Sequence, residues 1–245
     1  MKTQRNRSHL EEDFVITENG YYFGIGQVID LLKMITELQL KCAQNSNPLT
    51  GLPGNLLIQE QIDQLIRNKK DFVACYFDLD NFKPYNDQYG YAKGDEILIY
   101  LAKLLKKHSH PEVDFVGHVG GDDYVVIFRS TNWQESIANI LQEFIQFRET
   151  FYNPDDLDSL GIWAEDRFGE KRFFSLMSIS VAAIDSSSAS LGSSKDIASR
   201  LSLIKQEAKQ VKGNSLVAEL SGSLISLITD LENPPNLSNK NSTVA

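Results

Sequence analysis

No apolar run in the 245-residue chain approaches the roughly 20 consecutive residues that a membrane-spanning helix needs. The opening residues, MKTQRNRSHLEED, lack the apolar core of a secretory leader. A cytoplasmic protein without membrane insertion is therefore expected. Cysteine is scarce: Cys42 and Cys75 are the only two, they lie among apolar residues, and they have no metal-ligand spacing. Buried free thiols in a reducing compartment suit them better than a disulfide. Basic charge is also short, with 24 Lys and Arg against 33 Asp and Glu and a net charge of -9. That excludes a general nucleic-acid binder, because a polyanion is repelled at long range, although a local basic pocket remains compatible. What is present, 42% hydrophobic and 23% charged residues, is ordinary for a globular protein. The length suits one well-buried domain with extensions, or two small ones.

Along the chain, residues 1–13 are polar and read as a mobile N-terminus. Residues 14–46 read as two strands around an Asn19-Gly20 turn followed by a helix from about Gln27. Val28, Leu31, Ile35, Leu38 and Cys42 fall at heptad spacing there, a stripe for packing on its own domain or on a partner helix. The breaker-rich NSNPLTGLPG marks a boundary near Asn47. Beyond it, NLLIQEQIDQLIRN reads as a helix, DFVACYFDL as a buried strand and GDEILIYLAKLLKKH as an amphipathic helix. DFVGHV and YVVIF read as strands, NWQESIANILQEFIQFRETF as a helix, and GIWAEDRFGEKRFFSLMSISVAAI as a hairpin running into a strand. SSKDIASRLSLIKQEAKQVK is the last long helix and NSLVAEL the final strand; residues 221–245 read as a weakly ordered tail. Irregular alternation with a central hairpin predicts an α+β fold with a mixed or antiparallel sheet.

The chemistry concentrates in two stretches. In HVGGDDYVV, Gly120 and Gly121 permit positive φ and a close backbone approach, and Asp122 and Asp123 follow. Alone, such a tip is a solvated turn. YFDLDNFKPYNDQYGYAKGDE adds Asp78 and Asp80 at the end of the apolar strand. If the two strands are neighbours, Asp78, Asp122 and Asp123 converge, and such carboxylates suit Mg2+, a hard cation that keeps substrate phosphates in its shell.

The order of these pieces resembles the GGDEF domain of diguanylate cyclases over residues 47–220. NPLTGLPGN is similar to the family's opening motif, DLDNFKPYNDQYGYAKGDEIL to its central segment, GGDDY to its signature loop, MSISVAAI to its late strand and AKQVKGNS to its terminal helix-loop. The resemblance implies a central, mostly antiparallel sheet wrapped by helices, akin to nucleotidyl cyclases and polymerase palms with a ferredoxin-like core. It implies GTP as substrate, condensed pairwise into cyclic di-GMP with release of pyrophosphate, Mg2+ as cofactor, and a homodimer that unites two half-sites. By position, Asp78, Asp123 and the Leu79 carbonyl hold metal, with Asp122 beside the attacking hydroxyl in a joint catalytic and metal role with Asp123. Asn86 and Asp95 read the guanine; Phe82, Lys83 and Lys209 serve the phosphates.

The sequence also departs from that pattern. Asp123 stands where glutamate is usual, Tyr124 replaces phenylalanine, Tyr91 replaces histidine, and Asn47 replaces aspartate. The terminal motif carries one extra residue and lacks its arginine, for which Lys212 is a poorer bidentate substitute. Pro111 stands where the product-inhibition arginine belongs, with Asp114 retained, so no such site is expected. The N-terminal hairpin and helix resemble the end of a CBS domain, and proteins joining EAL, CBS and GGDEF parts carry similar variants. A sensory or EAL portion elsewhere, or a regulatory partner, is therefore expected. The departures leave a second reading open: a catalytically degenerate domain that binds GTP and regulates a partner.

Overall fold

The computed structural model describes residues 13–165, 168–188 and 192–228. Nearly all of the polar N-terminus and the end of the tail lie outside these, as does the Cys42 side chain. The chain divides into two compact units, Met1–Ser46 and Asn47–Ala245.

In the first unit, β1 (Asp13–Glu18) and β2 (Tyr21–Gln27) pair antiparallel around Asn19 and Gly20, with φ of 52° and 83°. Two successive left-handed residues are what the right-handed twist of a two-residue hairpin demands, and Asn-Gly adopts them at least cost. α1 (Val28–Gln44) follows directly. Leu31, Ile35 and Leu38 of the heptad stripe are exposed.

In the second unit, α2 (Asn55–Arg67) leads to β3 (Val73–Asp80), α3 (Phe82–Tyr89), α4 (Tyr91–Lys107), β4 (Phe115–Gly120) and β5 (Asp123–Phe128). Then come α5 (Trp133–Arg148), α6 (Pro154–Asp158), the hairpin β6 (Gly161–Glu165) and β7 (Lys171–Ser175), β8 (Ser178–Asp185), α7 (Ser194–Ala208), β9 (Ser215–Leu220) and β10 (Ser223–Ile228). One six-stranded sheet runs in the order β10-β9-β8-β3-β5-β4. β8 and β9 are parallel and every other neighbouring pair is antiparallel. This is the expected α+β architecture.

β3 is a continuous apolar run because both its faces are covered. Cys75, Phe77 and Leu79 pack with α4 and α5, whereas Ala74 and Tyr76 point toward α2 and α7. The same alternation divides β5, with Tyr124, Val126 and Phe128 on the first face and Val125 and Ile127 on the second. Phe77 is wholly buried, so Phe77→Ala would cost about 3–5 kcal/mol. Cys75 is a buried free thiol whose pKa burial raises.

Two elements differ from the sequence reading. Residues 223–228, assigned to the weakly ordered tail, pair with β9 as a sixth strand, so NSLVAEL is not the last. The segment FKPYNDQY forms α3, because Pro84 sits in the first turn, where its missing N–H breaks no helical bond.

Candidate functional site

Side chains alternate along β3, so Tyr76, Asp78 and Asp80 leave the same face, toward α7. The β3–β5 register sets Asp78 directly opposite Asp123. A carboxylate pair so placed is costly without a cation. α7 supplies two ammonium groups. Lys205 Nζ contacts Asp78 Oδ2 and lies 3.0 Å from Asp123 Oδ1. Lys209 Nζ, one turn on, lies 2.5 Å from Asp78 Oδ1 and 3.8 Å from Asp80 Oδ1. Asp80 also accepts from Ser178 Oγ at 3.1 Å and Ser180 Oγ at 2.7 Å.

Burial pushes the Asp78 carboxyl upward, but Lys205 and Lys209 outweigh it and hold the group below the usual carboxylate range. Burial raises Asp123, with Lys205 offsetting only part and Asp78 adding to the rise. Asp122 is raised by burial and then by Asp78. Lys205 loses basicity to burial and regains more from Asp78 and Asp123, so its net shift is upward.

The turn between β4 and β5 carries φ of 147° at Gly120 and 56° at Gly121. Side chains are strained at both positions, and no heavy atom lies within 4 Å of where either Cβ would be. The turn is open to a ligand and braced from below by His118. That ring is 2% exposed and stacks on Tyr124 at 4.1 Å. Nε2–H donates to the Gly121 carbonyl at 2.9 Å, since a carbonyl can only accept. Nδ1 therefore accepts from Thr50 Oγ1, also at 2.9 Å. Burial lowers the His118 pKa and the Gly121 bond offsets this in part. Asn47, despite replacing aspartate, caps the separate loop that carries Thr50 by accepting from Leu49 N and Thr50 N. The Tyr124 hydroxyl donates to the Leu98 carbonyl at 2.9 Å.

A cleft of about 580 Å³ gathers Leu79, Phe82, Lys83, Asp122 and Lys209 with Glu165 and Arg172 from the β6–β7 hairpin. The exposed Lys83 ammonium is paired with Asp87 at 2.6 Å. Asn86 and Asp95 do not line this cleft. They belong to the adjoining helices α3 and α4, where the Asn86 amide packs so closely on Gly94 that a Cβ there would meet its Oδ1 at 1.9 Å. Asn86 Oδ1 is buried without a hydrogen-bond partner. Asp95 is exposed within α4, whose N-cap is Gly90, so Asp95 does not cap that helix. Asp114 is satisfied locally by His110 N, Arg129 N, Ser130 N and Ser130 Oγ, all within 3.0 Å.

Among the described residues, no three carboxylate, imidazole or thiol side chains gather as a metal cage. Two facing carboxylates with a third on the open turn nonetheless fit Mg2+, which is held by one or two carboxylates plus substrate phosphates. Sequence reasoning missed Lys205, Glu165 and Arg172. For Lys205 a signal existed: α7 buries Ile197, Leu201, Ile204 and Ala208, and Lys205 borders that stripe four residues from Lys209.

This sheet, with acidic groups at one end and helices on both faces, defines a palm-like nucleotidyl cyclase fold. Residues 44–177, more than half of the chain, match the family described as "Diguanylate cyclase, GGDEF domain". The chain belongs to that family. It is 33% identical over 91 residues to diguanylate cyclase DgcP of Pseudomonas aeruginosa, covering 36% of this chain and 13% of that protein. It is 29% identical over 150 residues to probable diguanylate cyclase DgcI of Escherichia coli, covering 58% of this chain and 32% of that protein. It thus spans about a third or less of these relatives' length. The structure of the coiled coil and GGDEF domain of DgcB from Caulobacter crescentus in complex with c-di-GMP superposes with a TM-score of 0.54 at 18% identity. That superposition covers 78% of this chain and 93% of the other. Among the described residues, no helix is long and apolar enough to cross a membrane.

Proposed function

We propose that this chain is a diguanylate cyclase, which condenses two GTP into cyclic di-GMP and releases two pyrophosphates in bacterial second-messenger signalling in the cytoplasm. The observation that carries this is the in-register pair Asp78 and Asp123, with Asp122 on the open turn beside it. Each 3′-hydroxyl oxygen forms a bond to the α-phosphorus of the other GTP, and the bond from that phosphorus to pyrophosphate breaks. Asp122, its carboxyl made more basic by burial, accepts the hydroxyl proton. Lys209 and Lys83 draw the phosphates into the cleft, and the Phe82 ring walls it. The Asn86 amide oxygen, buried and unpartnered, accepts from the guanine edge, with Asp95 alongside. Asp78, Asp123, Asp122 and the Leu79 carbonyl would hold Mg2+, which stabilises charge at the α-phosphorus and lowers the pKa of the hydroxyl.

One cleft holds one GTP, so ring closure needs two chains face to face. The exposed α1 stripe is the dimerising element, and the β1–β2–α1 unit, which resembles the end of a CBS domain, is where a sensory or EAL portion or a regulatory partner would act. The names of DgcP and DgcI support a cyclase over a degenerate GTP-binding regulator. Incubation with GTP and Mg2+, followed by chromatography and mass detection, should yield cyclic di-GMP and pyrophosphate, both lost in Asp122→Ala. Bound GTP that is never turned over at any protein concentration would overturn the reading.

A further inference from the structure

The cation between Asp78 and Asp123 is already supplied by the protein. Lys205 Nζ bridges the two strands through Asp78 Oδ2 and Asp123 Oδ1 and lies 4.6 Å from the centre of the Tyr76 ring. An ammonium has three donors and suits a pocket of two carboxylates and a π face. Lys209 takes the other Asp78 oxygen, so neither oxygen of that carboxylate is without a cation. The Asp78 side chain is 4% exposed, so both ammonium groups lie against a nearly buried carboxylate. The two lysines are not equivalent. Lys209, 42% exposed, also lines the open cleft and so faces the substrate. Lys205, 22% exposed, is enclosed by strand groups and does not line that cleft.

We propose that Lys205 is a positioning residue that occupies the divalent-cation position, holds Asp78 and Asp123 in place in the metal-free protein, and must swing out before the ion can bind. This rests on the reading of Asp78 and Asp123 as metal ligands. Two cations cannot share the same oxygens without strong repulsion, so occupancy is exclusive. The metal-free site is then closed but assembled, and metal entry is coupled to a rotation of the Lys205 side chain away from the two carboxylates.

Mn2+ alone, titrated into the whole chain and followed by calorimetry and electron paramagnetic resonance, tests this directly. Lys205→Met keeps the length of the arm and removes its charge. It should bind Mn2+ roughly tenfold or more tightly than wild type, the scale on which groups around a ligand set alter metal affinity. Its melting temperature without metal should fall and recover with Mn2+. Lys205→Arg, which keeps the charge, should stay near wild type, and adding Asp78→Asn to Lys205→Met should abolish the gain. Equal Mn2+ affinity in wild type and Lys205→Met, lost on Asp78→Asn, would overturn the role of Lys205 and leave the metal site standing. No Mn2+ binding in either protein would overturn both.

Should Lys205→Met fail to fold, amine acylation of the wild type mapped by peptide mass spectrometry decides. Mn2+ should raise labelling at Lys205 while exposed Lys195 stays constant. A rise confined to Lys209, or no rise, would overturn the proposal.

Discussion

Asp114 and Asp78 sit at opposite ends of the β3–β5 region and meet opposite fates. Asp114 precedes β4 and is saturated by four donors from the local loops, three of them backbone N–H groups. Asp78 lies two residues before the end of β3, opposite the Asp123 carboxylate, with its oxygens against side-chain ammonium groups borne on α7. Backbone donors cannot leave without unfolding the loop, whereas a lysine can rotate away. One aspartate is a structural clip, and the other is a site able to exchange its cation.

The largest expected effect therefore falls on Asp78. Asp78→Asn should lower cyclic di-GMP synthesis by roughly 10²–10³-fold, as removing a charge-stabilising group does. Circular dichroism should remain native. Asp114→Ala should do the reverse. Stranding its backbone donors should cost about 1–3 kcal/mol in urea unfolding, with turnover per folded molecule unchanged. A loss of activity at unchanged stability in Asp114→Ala would break the contrast.

Asp123→Glu sharpens it next. Mg2+ tolerates little displacement, so the adjoining open turn must shift to absorb the extra methylene, and turnover should then stay within about tenfold of wild type.

The smallest effect concerns the His118 brace. Its folded pKa lies below the ordinary 6.5, so the unfolded chain takes up the proton first. The stability it contributes is complete above pH 6.5 and is lost as pH falls toward the lowered folded value. Denaturation midpoints measured from pH 7.5 down to about 5 should show that decline, and His118→Gln should flatten it.

The acidic residues of the site were legible because charge at the end of an apolar strand has few other uses, and because GGDDY and DLDNFK stand in order around it. The αL turn at Asn19-Gly20 was legible from local chemistry alone. Lys205 was legible only in part: its place beside the buried stripe of α7 could be read, but its partner Asp123 lies 82 positions away. α3 was hidden because Pro84 reads as a breaker unless the helix start is known. β10 was hidden because a serine-rich segment becomes a strand only when β9 offers an edge. The guanine-reading role proposed for Asn86 rests on family order, whereas its tight seat on Gly94 depends on how two helices meet.

The most direct test of the central claim is the position of the ion. Crystals soaked with Mn2+ and a non-hydrolysable GTP analogue, measured at the manganese edge, should show an anomalous peak between Asp78 and Asp123, with Lys205 displaced. Nucleotide bound in the cleft with the peak elsewhere, and Lys205 still between the carboxylates, would contradict the account.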